Sequence, residues 1–188
     1  MHGNGQDQLA QIFHRGKLVV YGDVGQTFFY GAKGGTAYVM GNAAGRPLIN
    51  AVGSPRVVIN GTCLDYLGES FMAGDPLKGG GFVILNGVRW NNAGQIEELE
   101  TPYPGSNLFS LASGGAVYVR DPRRVLEKNQ LNGCEFAELT TEDWALIEPY
   151  LQDNECLFGI STERDLLRGQ LPSAVYRKIH PIQTTALH

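Results

Sequence analysis

Five segments of eight residues repeat one arrangement of apolar and polar positions. Their fourth and sixth positions are apolar throughout. Because successive side chains of a strand point to opposite faces, these two positions face one shared core. Each segment has a small or turn-forming residue among its first two positions and ends in Gly or Asp. The pattern predicts five strands, in RGKLVVYG (15–22), GGTAYVMG (34–41), SPRVVING (54–61), GGFVILNG (80–87) and GGAVYVRD (114–121).

The spacing of these segments predicts how the strands are connected. Their ends are 19, 20, 26 and 34 residues apart. A strand–helix–strand unit needs about 30 residues, so the two regular intervals are too short for one. A coil of about 20 residues that returns to the same place one strand spacing higher, about 4.8 Å, forms a parallel β-solenoid. We therefore predict an all-β parallel solenoid of about five coils, with insertions at 62–79 and 88–113.

Glycine supports this interpretation, since 25 of the 188 residues are glycine. Corners of a solenoid need residues that accept positive φ or a close approach of another backbone. We expect such structural turns at the segment boundaries, namely at Gly22, Gly34, Gly35, Gly41, Gly61, Gly79, Gly80, Gly87, Gly114 and Gly115.

The distribution of glycine also divides the chain. Residues 1–121 hold 22 of the 25 glycines, and residues 122–188 hold three together with 17 of the 34 charged residues. We predict a solenoid over 1–121 and a helical extension over 122–188 that packs on it. Capping patterns in the extension predict helices at Thr141–Leu151 and 163–169. Residues 171–179 are expected to be extended or a short helix.

The first residues of the chain are expected to cap the solenoid. A first coil leaves backbone groups unpaired, which is a template for aggregation unless it is covered. Residues 6–14 place Leu9, Ile12 and Phe13 at a helical spacing. The spacing predicts a short N-terminal helix that plugs the first coil.

The fifth position of the segments is a candidate interface. Alternation turns this position away from the core, yet it carries no charge in any segment, and a bare stripe of this kind is rare on a soluble monomer. Two coverings stay open. One is the chain's own extension, and the other is a partner, either another subunit or a second copy of the chain. The stripe consists of Val19, Tyr38, Val58, Ile84 and Tyr118.

Composition excludes several functional classes. Fifteen Lys and Arg against 19 Asp and Glu give a net charge of −4, without the basic excess that nucleic-acid binding requires. The 43% of hydrophobic residues are too interrupted for a membrane span, and no secretory segment follows Met1, so we expect a cytoplasmic protein. The residues of the 91–106 insertion are acidic, with three glutamates and no Lys or Arg.

No residue pattern indicates a catalytic, cofactor or metal site in this chain. The three cysteines have no disulfide or zinc spacing, and the glycine stretches 31–36 and 75–80 do not match a phosphate-binding loop. The histidines lie near the termini. The acids near the corners, Asp23, Asp65 and Glu69, are scattered along the sequence and do not indicate one common site. Cys63 has no histidine nearby in sequence that could activate it as a nucleophile.

The glycine repeat resembles a known family. Gly22-Asp-Val-Gly-Gln26, Gly41-Asn-Ala-Ala-Gly45 and Asp65-Tyr-Leu-Gly68 are similar to the GXGXG repeat. That repeat forms the right-handed β-helix at the C-terminus of the glutamate synthase large (alpha) subunit. It also forms a scaffold subunit of formylmethanofuran dehydrogenase and of the related formyltransferase/hydrolase complex. The end of the chain, with Leu139–Trp144 and Phe158–Ser161, resembles glutamate synthase more closely.

The resemblance implies a scaffold with no activity of its own. In glutamate synthase the amidotransferase cysteine, the FMN and the iron–sulfur cluster belong to other domains. We expect this chain to hold amidotransferase and FMN-binding synthase subunits in a complex that makes glutamate from glutamine. Two alternatives stay open, a scaffold in a formyl-transferring complex and a carbohydrate-active β-helix.

Overall fold

The computed structural model describes residues 1–182, in which nine strands and two α-helices follow one another. The strands are β1 (Lys17–Val20), β2 (Thr36–Val39), β3 (Arg56–Ile59), β4 (Phe82–Leu85), β5 (Val88–Trp90), β6 (Ile96–Glu98), β7 (Ala116–Arg120), β8 (Cys134–Glu138) and β9 (Tyr176–Pro181). The helices are α1 (Thr141–Phe158) and α2 (Pro172–Val175), with 3₁₀ turns at Pro76–Lys78 and Lys128–Gln130 and a π-helix at Thr162–Leu167.

The five predicted strands are confirmed as one parallel array, β1-β2-β3-β4-β7. Their register follows the segment alignment, because each fourth-position residue pairs with the next one, from Leu18 to Ala37 and on to Val117. Side chains at the fourth and sixth positions therefore stack in columns and fill the interior of the solenoid, where Val57 and Ile59 are fully buried.

The predicted β-solenoid is confirmed, but its coil number is not. It has about three turns instead of about five. On a second face, which follows the strands, single parallel bridges link successive rungs. They run from Gly5 through Val24 and Ala43 to Cys63. Beyond Cys63 the two insertions take the chain out of the regular path, and residues 88–98 form the antiparallel hairpin β5–β6 instead.

The face opposite the strands has an unusual backbone. In each rung alternate residues adopt positive φ, as Thr27, Phe29 and Gly31 do at 55°, 59° and 61°. A left-handed residue other than glycine costs roughly 1–2 kcal/mol. Hydrogen bonds between rungs offset this cost, for example from Phe29 N to Leu9 O (3.0 Å) and from Leu48 N to Phe28 O (2.8 Å).

The predicted N-terminal helix is wrong. Residues 1–14 form a first coil that pairs through His2 with Tyr21 and through Gly5 with Val24. The backbone is not helical, since Gln8, Ala10 and Ile12 have positive φ. Leu9 and Phe13 pack against the core because they alternate with outward residues, whereas Ile12 is 48% exposed. The apolar spacing at 6–14 thus reflects a solenoid rung.

The extension also differs from the helical prediction. Helix α1 begins where the capping pattern indicates, with Thr140 and Asp143 forming the capping box, but it continues past Leu151 to Phe158. The π-helix lies near the predicted 163–169 helix, and residues 171–179 hold α2 and most of β9. Strand β8 was not predicted, whereas β9 lies in the segment expected to be extended or a short helix. They join the sheet antiparallel beyond β7, in the order β7-β9-β8.

Candidate functional site

The fifth-position stripe lies beneath the chain's own extension. Four of its residues have no exposed surface, and Val19 is partly buried against the same cluster. Helix α1 covers them with Ile147, Leu151 and Phe158, and the π-helix adds Leu166. The candidate interface Val19, Tyr38, Val58, Ile84 and Tyr118 is therefore covered by the chain's own extension, completely at four residues and partly at Val19.

Both tyrosines of the stripe anchor helix α1 by their hydroxyls. Tyr118 donates to Asp143 Oδ1 (2.6 Å), and Tyr38 donates to Asp153 Oδ2 (3.0 Å). Burial, followed by these hydrogen bonds, raises the pKa of both phenols, so both stay protonated donors. Lys178 adds an ion pair to Asp143 at 2.8 Å. The first turn and the C-terminal half of α1 are thereby fixed to separate strands, β7 and β2.

Asp143 is a fully buried carboxylate at the start of α1. Burial raises its pKa, but the hydrogen bonds from Lys178, Tyr118 and Thr140 outweigh burial and hold the pKa below its usual range. Asp143 thus stays ionised. Its Oδ1 bonds Tyr118 and Lys178 and so holds the extension onto the sheet, and its Oδ2 caps α1 through Thr140.

A buried amide cluster joins the same two layers. Asn60 donates to Asn154 Oδ1 (2.8 Å) and Asn154 donates back to Asn60 Oδ1 (2.9 Å). Asn86 also donates to Asn60 Oδ1 (2.9 Å), and Tyr176 donates to Asn86 Oδ1 (2.8 Å). Buried polar groups that are fully paired specify one arrangement of a core. The sequence signal that could have found this cluster was Asn at the same position of two successive segments.

The predicted turn glycines fall into two groups. Four have positive φ, at five others a Cβ would overlap a neighbouring rung, and at Gly80 it would overlap the backbone of Ala73 and Asp75 in the same coil. The clearest case is a ladder of side chains at one corner, in which Asn42 N donates to Asp23 Oδ1 (2.7 Å) and Thr62 N donates to Asn42 Oδ1 (2.9 Å). Positive φ occurs at Gly35, Gly79, Gly87 and Gly115, and close approach at Gly22, Gly34, Gly41, Gly61, Gly80 and Gly114.

Two of the three glutamates of the acidic insertion are paired. Glu97 bonds Arg89 across the β5–β6 hairpin. Glu98 bonds Arg120 at 3.0 Å and Arg123 at 2.9 Å. Because Arg120 Nε also donates to Leu166 O (2.8 Å), these contacts tie the insertion to the extension. The insertion is therefore linked to both the solenoid and the extension, and two of its three carboxylates are paired with arginines.

The corner acids do not converge on a common site. Asp23 and Asp65 each accept backbone N–H groups at their own corners, and Glu69 faces Arg46 at 4.0 Å. Burial raises the pKa of the Cys63 thiol well above its usual value, which disfavours a nucleophilic thiolate.

A cleft of about 400 Å³ lies where the start of α1 meets the corners before β4 and β7. Its charged lining includes Asp143 and Lys178, which already satisfy each other. Within residues 1–182 no group of three or more His, Cys, Asp or Glu side chains is placed to hold a metal ion. In the same part of the chain, no helix combines the length and apolar character needed to cross a bilayer.

Comparison with known protein families gives a match over most of the chain. The family model described as GXGXG motif matches residues 1–181, which includes the first coil, both insertions and the extension as far as β9. A comparison with curated proteins found no match. The residues described above form the turns between rungs, the ion pairs of the insertion and the buried hydrogen bonds that hold the extension on the solenoid.

Proposed function

Because the chain belongs to the GXGXG motif family, we propose that it is a non-catalytic scaffold in a glutamate synthase-like enzyme. The observation that carries the proposal is the extent of the match, residues 1–181, which takes in the extension as well as the glycine corners. The extension favours glutamate synthase over the formyl-transferring complexes, since residues 139–144 and 158–161 resemble its end.

The character of the buried polar groups supports a mechanical role. Asp143, Asn60 and Tyr176 use their hydrogen bonds for contacts between the sheet and the extension. A catalytic acid, base or nucleophile has to reach its substrate, whereas these three residues have no exposed surface and their hydrogen bonds are taken up within the chain. A solenoid whose outer face is closed by its own chain is a rigid body to which other domains attach.

In the proposed complex, chemistry belongs to the partner subunits. An amidotransferase subunit releases ammonia from glutamine, and an FMN-binding synthase subunit with an iron–sulfur cluster adds it reductively to 2-oxoglutarate. The chain itself binds neither cofactor in this proposal. It holds the two subunits in a fixed relation, in the cytoplasm.

Co-expression with the proteins encoded beside it tests this proposal. We expect co-purification with a class II amidotransferase and an FMN-binding synthase, and glutamate formation by the complex but not by the isolated chain. Omitting the chain should uncouple glutamine hydrolysis from glutamate formation. Co-purification with an amidohydrolase and a formyltransferase would replace the proposal by the formyl-transferring alternative. Turnover of a polysaccharide by the isolated chain would replace it by an enzymatic one.

A further inference from the structure

Three of the ten arginines are not exposed, and one of them differs from the other two. Arg120 bonds Glu98 at 3.0 Å, and Arg177 bonds Asp121 at 3.0 Å. Arg56, at the start of β3, has no carboxylate within 4.0 Å among residues 1–182. A partly buried guanidinium without a counter-ion is costly, so this exception needs a physical reason.

The aromatic surroundings of Arg56 hold its guanidinium in place without neutralising it. Its central carbon lies 5.5 Å from the centre of the Phe82 ring and 5.6 Å from that of Tyr150. One Nη donates to the Tyr150 hydroxyl, and Nε is buried without an acceptor. The faces of the rings attract a cation but accept no hydrogen bond from it, so the Tyr150 hydroxyl is the one acceptor that these two residues supply. The side chain is thus pre-organised, and most of its donors are unused.

Arg56 belongs to a basic edge formed by three stacked corners. We define this basic edge as Arg15, Lys17, Lys33 and Arg56. Backbone hydrogen bonds stack the corners directly, from Thr36 N to Gly16 O (2.9 Å) and from Arg56 N to Gly35 O (3.0 Å). The corner sequences FHRGK (13–17), KGGT (33–36) and GSPR (53–56) contain no acidic residue.

The charge on this edge is largely uncompensated. Arg15 and Lys33 are exposed, and neither has a carboxylate within 4.0 Å in the described part of the chain. Lys17 alone is paired, with Asp153 of α1 at 3.0 Å. The next two corners, at 79–82 and 113–116, carry no charge, so the edge ends at Arg56. Positive charge is therefore concentrated at this edge although the net charge of the chain is −4.

We infer that the basic edge binds an acidic segment of a partner subunit and that Arg56 takes one of its carboxylates. The inference rests on the proposed function, since it names the surface at which the scaffold holds a partner. Guanidinium groups bind carboxylates through two parallel hydrogen bonds, and pre-ordered arginines are frequent anchors of interfaces. Corners lie about 4.8 Å apart, and an extended chain rises about 3.3 Å per residue, so acids three residues apart match alternate corners.

Titration of the full chain with hexaglutamate, followed by NMR of the arginine Nε–Hε signals, tests this inference. We expect the Arg56 signal to shift on binding, the affinity to fall with added salt, and uncharged hexaglutamine to have no effect. Arg56→Lys keeps the charge but not the fork, and we expect it to weaken binding about tenfold or more. Arg46→Lys is the matched control, since Arg46 also stacks on a tyrosine ring, Tyr66, at 4.8 Å but lies on another face. We expect it to change the affinity less than about twofold.

Other outcomes would overturn the inference. Equal binding to wild type and Arg56→Lys would remove Arg56 from the site. A shift of the Arg56 signal with inorganic phosphate alone would make it a small-anion site, and tighter binding of a single-stranded oligonucleotide would make the edge a nucleic-acid surface. Assembly with the amidotransferase and the synthase distinguishes this failure from that of the proposed function. If Arg56→Lys assembles as wild type does, the inference fails and the scaffold role stands.

Discussion

The ladder at the glycine corners predicts opposite effects for the same substitution four residues apart. Gly41 and Gly45 both lack positive φ, so alanine fits the backbone at either position. At Gly41 a Cβ would overlap Asp23 Oδ1, which accepts the N–H of Asn42. At Gly45 the nearest atom is Asp65 O at 3.8 Å, an ordinary contact. Gly41→Ala therefore removes a hydrogen bond between rungs, and Gly45→Ala removes none.

The size of the difference follows from two terms. Replacing Gly by Ala at a compatible position stabilises by about 0.4–1 kcal/mol through the unfolded chain. Rotating Asp23 away loses a charge-assisted hydrogen bond, about 1.5 kcal/mol or more for such a bond and nearer the low end because Asp23 is exposed. We expect Gly45→Ala to gain about 0.5 kcal/mol, and Gly41→Ala to lose about 1 kcal/mol.

Urea denaturation of the two variants measures this difference, with unchanged m-values as the sign that both unfold from the same compact state. A double variant provides the control, since Asp23→Ala removes the oxygen with which the introduced methyl group collides. We expect Gly41→Ala to cost little further in that background, which gives a coupling free energy of about 1 kcal/mol. If Gly41→Ala proves as stable as Gly45→Ala, the ladder does not explain the glycine.

Three further substitutions test the layers and the coil backbone. Asp143→Asn leaves Lys178 unpaired and should cost about 3 kcal/mol. Because the pKa of Asp143 is held below its usual range, its stabilisation is present above about pH 4 and lost as pH falls through the folded-state pKa. Denaturation from pH 3 to 7 should therefore show a free energy of unfolding that falls less steeply towards low pH in the variant than in the wild type. Ile12→Gly relieves a β-branched residue at φ 54° that is 48% exposed, and should not lower the melting temperature. Val57→Asp buries an unpaired charge and should unfold the chain, seen as loss of its β-sheet circular dichroism.

The sequence predicted the strands because their burial is periodic. Apolar residues at the fourth and sixth positions predict both the strand and its register, and the pairing of Val57 with Val83 confirms this register. The fifth position predicted a covered stripe, but its covering could not be decided from that column alone. That decision depended on where α1 lies, which is set by contacts such as Tyr118 with Asp143, 25 residues apart.

Other elements left no periodic signal. Strand β8 has a mixed burial pattern, since it lies at the edge of the sheet and pairs on one side only. Residues 6–14 gave a misleading signal, because alternating left-handed residues produce an apolar spacing that imitates a helix. The sequence did not indicate Arg56 as a candidate. Its unusual feature is the lack of a carboxylate partner, and the sequence alone does not show which side chains are in contact.

The two edges of the sheet predict where the chain self-associates when it is cut. At one edge, β8 exposes Glu135 and Glu138, charges that oppose pairing with another strand. At the other edge, β1 is covered by the first coil, in which Met1 N donates to Val19 O (2.9 Å) and Tyr21 N donates to Met1 O (3.0 Å).

Deletion of residues 1–14 exposes β1 together with Leu18 and the interior of the second coil. We expect the truncated chain to form dimers or larger species, in proportion to its concentration, on size-exclusion chromatography with light scattering. Replacing Val19 by Lys in the truncated chain should restore the monomer, because a charge on an edge strand opposes pairing. A truncated chain that stays monomeric at all concentrations would mean that β1 needs no cover, and that the first coil serves only to extend the solenoid.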